Sequence, residues 1–191
     1  EKIIIGELEK ARPNFSFISE ERGIKKNKDR ENTWIIDPID GTVNFLHGIP
    51  HFAISIALRS NGEIISGLIY DPIKDEMFFA EKDNGTFFNN HRVRVSTKNS
   101  LDECLFAIGG KLKKEPDFSY RRSGCAALDL AYVSVGRYDG YFQKNLNLWD
   151  IAAGIILIRE AGGIINSFSL ESLKNINVTA SNSNISNKFN N

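Results

Sequence analysis

The chain has 191 residues and an ordinary globular composition, 41% hydrophobic and 25% charged. Acids and bases balance at 24 each, so no global field favours nucleic acid or an anionic membrane. No stretch is long and apolar enough to span a bilayer, no signal peptide is visible, and two cysteines without CxxC spacing fit buried thiols in a reducing, cytoplasmic setting.

Residues Glu1 to Ala11 place Ile3, Ile4, Ile5 and Leu8 among charges, the pattern of an amphipathic helix that Pro13 ends. Phe15 to Ile18 alternates as a short strand and leaves Glu20 at its end. Lys25-Lys26-Asn27-Lys28-Asp29-Arg30 reads as a solvated basic loop. Trp34-Ile35-Ile36 is an apolar strand. Pro38 is expected to stop it, because proline lacks an N–H and fixes φ. Asp37 and Asp40 flank Pro38-Ile39, Gly41 permits a tight turn, and Thr42 begins a short helix. His47 and His51 flank Gly48-Ile49-Pro50 and read as packing or hydrogen-bonding residues.

The pattern then becomes strongly β. His51 to Arg59, Ile64 to Tyr70, Glu76 to Glu81, Thr86 to Phe88 and Val93 to Val95 form an antiparallel meander, with turns at Asn61-Gly62, Asn84-Gly85 and Asn89-Asn90. Leu101 to Ile108 reads as another strand closed by Gly109-Gly110, and Lys111 to Tyr120 as a loop or one helical turn. Ala126 to Gly136 is a small, apolar, buried helix and Tyr138 to Gln143 a strand. Trp149 to Gly162 is a long apolar helix, Ile164 to Phe168 and Val178 to Ser181 are strands, and a polar helix follows from Ser183. The expected organisation is an α+β half over residues 1–108 and an α/β half over 109–191, working as one unit.

An apolar strand, an acidic turn and a helix start can build a metal–phosphate site. Carboxylates hold hard cations, and the Gly41 and Thr42 N–H groups can face an anion. On the residues alone the plainer alternative stays open, an Asx turn or a helix cap at each Asp. Asp150 opens the long apolar helix. It is either a first-turn acid matching the helix dipole or a third carboxylate of the same site. Three buried, unpaired carboxylates resist ionisation, and divalent cations remove that conflict. No Ser or Cys nucleophile setting competes, and His91 falls in a predicted turn.

WIIDPIDGTVNFLHGIPHFAISIAL, RRSGCAALDLAYVSVGRYDGYF and LWDIAAGIILIREAGG, with FISEERG upstream, resemble the inositol monophosphatase family of Mg²⁺-dependent, lithium-sensitive phosphatases. The resemblance runs over nearly the whole chain. It implies a layered αβαβα sandwich of the inositol monophosphatase and fructose-1,6-bisphosphatase type, usually a homodimer. Glu20, Asp37 and the Ile39 carbonyl would be ligands of one Mg²⁺, and Asp37, Asp40 and Asp150 of a second. Gly41 and Thr42 would bind phosphate, Glu20 and Thr42 would orient the attacking water, and Ala126 and Gln143, with Asp40 and Asp150, would meet the substrate.

The implied reaction is hydrolysis of myo-inositol monophosphate, and of other small polyol or sugar phosphates, by metal-activated water without a covalent enzyme intermediate. Two alternatives are carried. One is a 3′-phosphoadenosine phosphate or sugar bisphosphate phosphatase. The other is a non-catalytic RNA-associated regulator, against which the neutral charge argues, or a truncated, inactive relative. Three departures from the family pattern stand out. The chain begins at Glu1, without the several dozen residues the family carries before this point. Gly109 to Gly124 is short. Gln143 replaces the Glu of many members, which keeps a hydrogen bond but removes a charge.

Overall fold

The structure, a computed structural model, describes residues 1–111 and 116–189. The chain runs α1 (Lys2–Ala11), β1 (Ser16–Ser19), β2 (Gly23–Lys25), β3 (Asn32–Asp40), α2 (Thr42–Leu46), β4 (Ala53–Ser60), β5 (Glu63–Asp71), β6 (Glu76–Glu81), β7 (Gly85–Phe88) and β8 (His91–Val93). A 3₁₀ turn at Leu101–Glu103 leads to β9 (Leu105–Ile108) and β10 (Ser119–Arg121). Then come α3 (Ala126–Ser134), β11 (Gly140–Leu146), α4 (Leu148–Glu160), β12 (Ile164–Ile165), β13 (Ile176–Ser181) and α5 (Ser186–Phe189).

Among the described residues the strands form two sheets, ordered β2-β1-β3-β4-β5-β6-β7-β8 and β10-β9-β11-β13-β12. α3 and α4 pack on each other between them, and both are buried along nearly their whole length. α1 covers the outer face of the first sheet, where Ile5 meets Phe17 and Ile36. Cys104, Phe106 and Ile185 form a small core on the far side of the second sheet. The result is the expected five-layer αβαβα sandwich.

The meander and its turns follow from local chemistry. Asn61 and Gly62 both have positive φ, and so do Asn89 and Asn90, the conformation a two-residue hairpin turn requires. Elsewhere the expectations need correcting. β3 does not stop at Pro38 but continues to Asp40. The missing proline N–H is absorbed by an irregularity against β4, whose register slips by one between Asp37↔Ser55 and Asp40↔Ala53. Leu101 to Glu103 is a 3₁₀ turn, and the strand starts only at Leu105, where the Asp139 carboxylate takes the backbone N–H at 2.8 Å. Residues 105–108 pair with β10 and β11 and so belong to the second sheet. Within Lys111 to Tyr120, read as a loop or a helical turn, positions 112–115 lie outside the described residues, and Ser119–Arg121 is a strand parallel to β9.

Candidate active site

Strand pairing brings the first two acids together. β1 and β3 run parallel with Ser19 beside Ile36, so both strands end on one edge. Glu20 follows β1 and is tied there by its N–H to the Ile36 carbonyl at 3.2 Å. Asp37 is the next residue of β3 and is buried. Its Oδ1 accepts the Ile39 N–H at 2.9 Å, so the Asx-turn reading also holds.

Asp40 ends the bulged strand and reaches the start of α3. Its Oδ2 accepts the Ala127 N–H at 2.5 Å and the Cys125 thiol at 3.1 Å. Gly41 sits at φ 88°, and a Cβ there would stand 3.0 Å from the His51 carbonyl and 3.2 Å from the Cys125 Cβ, so only glycine fits. The Thr42 hydroxyl donates to the Ile39 carbonyl at 3.0 Å. Asp150 is the third residue of α4, where its Oδ2 accepts the Asn147 N–H at 2.8 Å in a capping box. The capping reading and the site reading therefore coexist.

Glu20, Asp37, Asp40 and Asp150 line one cleft of about 450 Å³ between the two sheets, together with Gly41, Thr42, Ala126 and Gln143. All the side chains and backbone stretches singled out in the sequence meet there, apart from Ile39, which adjoins the cleft through its carbonyl's bond to Thr42. His47 caps the end of α2, and the His51 ring packs edge-on to Tyr132 at 6.2 Å.

Sequence reasoning passed over a supporting layer. Asn44 donates from one amide nitrogen to the carbonyls of His51 (2.8 Å) and Ser123 (2.9 Å). The Ser123 hydroxyl in turn donates to the buried Asp129 at 2.6 Å. These bonds fix the loop that carries Cys125 and the first turn of α3 against Asp40. The visible signal was Asp129, a lone acid in an apolar helix.

Crowding has an electrostatic cost. Burial, then the charges of Asp40, Glu20 and Asp150, push Asp37 up to about 9. Burial also raises Asp150 to about 7 and Asp40 to about 6, the latter held down by the Ala127 N–H and the Cys125 thiol. Carboxylates so poised, with oxygen the main donor atom, fit hard divalent cations. No three His, Cys, Asp or Glu side chains among the described residues form a ready-made cage. Asp37, Asp40 and Asp150 each keep one oxygen on a backbone N–H, and the other remains for a ligand.

The inositol monophosphatase family model matches residues 1–190. This chain belongs to the inositol monophosphatase family. It is 46% identical over 181 residues to the inositol-1-monophosphatase of Mesorhizobium japonicum, covering 87% of this chain and 68% of that protein. It is 43% identical over 186 residues to the Nus factor SuhB of Escherichia coli, covering 88% and 69%. The crystal structure of the extragenic suppressor protein suhB from Bartonella henselae superimposes with a TM-score of 0.91 at 45% identity, covering 98% of this chain and 79% of that one.

Proposed function

We propose that the chain hydrolyses myo-inositol monophosphate, and other small polyol or sugar phosphates, to the alcohol and inorganic phosphate, with Mg²⁺ as its cation. The observation that carries this is the convergence of four carboxylates from three separate segments, the end of β1, β3 and the first turn of α4, on one cleft beside the start of α2.

Glu20, Asp37 and the Ile39 carbonyl would hold one cation, and Asp37, Asp40 and Asp150 a second. When bound, the cations neutralise the carboxylates, activate the attacking water and stabilise the leaving oxygen. The Thr42 hydroxyl spends its proton on Ile39, which leaves its oxygen as an acceptor for a proton of that water. Glu20, exposed at the cleft edge, orients the same water from the other strand. The N–H groups of Gly41 and Thr42 take the phosphate oxygens. Ala126 and Gln143 line the wall that meets the polyol.

The test is phosphate release from inositol 1-phosphate with and without Mg²⁺, beside 3′-phosphoadenosine phosphate. Mg²⁺-dependent release that favours the inositol ester supports the reading, and preference for the nucleotide replaces it with the bisphosphate one. Relatives named as a Nus factor give a non-catalytic reading a specific footing. Mg²⁺ binding without release from either ester would favour it.

The homodimer reading has a surface to rest on. Val43, Leu46 and Ile49, beside the cleft, are 69%, 76% and 48% exposed, unusual for clustered aliphatic side chains. Replacing Leu46 with Lys is expected to convert dimer to monomer in light scattering. A wild-type chain that is already monomeric would remove the reading.

A further inference from the structure

Gln143 is not free to present either end of its amide. The Tyr141 hydroxyl lies 2.8 Å from Gln143 Oε1. Tyr141 is fully buried, and burial followed by the surrounding acids pushes its hydroxyl well above the ordinary value, so the phenol keeps its proton. Among the described residues that hydroxyl has no other side-chain or backbone partner. Turning the amide over would strand a buried O–H, so the oxygen faces inward. Gly109 completes the lock. The amide folds over it so closely that a Cβ at Gly109 would stand 1.6 Å from Gln143 Oε1 and 2.1 Å from Cδ. Both residues line the cleft. With its oxygen turned onto Tyr141, Gln143 keeps its amide nitrogen, a donor, for the cleft.

We propose that Gln143, aimed by Tyr141 and seated on Gly109, makes the cleft wall a hydrogen-bond donor that favours phosphate esters presenting a carboxylate, carbonyl or ring oxygen to it. This rests on the phosphatase reading of the same cleft and narrows its substrate class. A hydroxyl can still accept from the nitrogen, so polyol esters remain substrates. They lose the charge-assisted bond that a glutamate there would accept from a hydroxyl. An acceptor-only group gains, because a glutamate would leave it facing a carboxylate with no donor between them.

The experiment compares glycerol 2-phosphate, whose arms are hydroxyls, with 2-phosphoglycerate, where one arm is a carboxylate. Binding of each to the Mg²⁺-loaded chain is measured by calorimetry and hydrolysis by phosphate release, for wild type, Gln143→Glu and Tyr141→Phe. Gln143→Glu is expected to shift the affinity ratio toward glycerol 2-phosphate by about 10-fold or more. Tyr141→Phe adds no charge and frees the amide to turn, so it is expected to shift the ratio the same way by a smaller factor. A ratio that stays within about twofold in both variants overturns the proposal, as does a wild-type chain that binds neither ester. If the esters bind with the expected ratios but neither is hydrolysed, the selectivity stands and the phosphatase reading alone fails. Circular dichroism of each variant separates loss of selectivity from loss of fold.

Discussion

Asp40 joins two tasks in one carboxylate. Oδ2 is committed to the α3 N-terminus, through Ala127 and Cys125, and the other oxygen is available to a cation. Asp40→Asn keeps an oxygen for the Ala127 N–H but removes the charge. It is expected to lower Mg²⁺-dependent phosphate release by at least about 100-fold, the scale of losing one preorganised charge-stabilising group. The thermal midpoint should hardly move, and a large drop would mean that folding and not chemistry was lost. Ser123→Ala makes the opposite case. It strips the donor from Asp129, an acid that burial already raises to about 8. Urea unfolding should show a loss of about 1–3 kcal/mol, and Ser123→Thr should restore most of it. The acids were legible in the sequence because DPIDGT and LWDIAAG are contiguous strings with a chemical rationale. The layer behind them was not. Asn44 meets Ser123 across 79 residues and Cys125 meets Asp40 across 85, and no local period encodes either contact.

At the scale of elements, periodicity located the helices and most strands but did not say which face of each strand is buried. In β4 the larger residues Ile54, Ile56 and Leu58 are only half-buried, while Ala53, Ser55 and Ala57 are buried. The reason lies in the register. Ala57, Gly67, Ala80 and Thr86 align across β4 to β7, and α4 presses onto this row of small side chains. Gly67 is the tightest point, where a Cβ would stand 2.6 Å from Ile156 Cγ2 and 2.8 Å from the Ala153 carbonyl. The Thr86 hydroxyl meets the Leu157 carbonyl at 2.7 Å in the same seam. Gly67→Ala should therefore push α4 outward and cost about 1–3 kcal/mol in chemical denaturation. Because α4 carries Asp150 at its first turn, the same variant should weaken Mg²⁺ binding measured by calorimetry. Unchanged affinity would mean that the helix start is held independently by its capping box. Pro38 shows the related limit. Proline rightly signalled a break in pairing, yet only the partner strand decides whether that break is an end or a bulge.

For the molecule as a whole, the sandwich holds its acids in a fold that favours their neutral forms. Asp37, Asp40 and Asp150 rise to about 9, 6 and 7 from a common starting value of 3.8. A folded-state value above the unfolded one means the folded chain holds more protons between the two. Stability is therefore greatest below the unfolded value and falls as pH rises, with the loss complete only above the highest folded value. Asp129, raised to about 8, adds to the same window. Chelator-treated protein is expected to have a higher thermal midpoint at about pH 5 than at about pH 8.5. Mg²⁺ binds the ionised forms, so it should reverse this trend, and its stabilising effect should grow with pH as protons cease to compete. Thermal scans across that range, with chelator and with Mg²⁺, measure both slopes. A chelated chain that gains stability toward alkaline pH would contradict the crowded-carboxylate account of the cleft. Parallel slopes with and without Mg²⁺ would place the cation away from these acids.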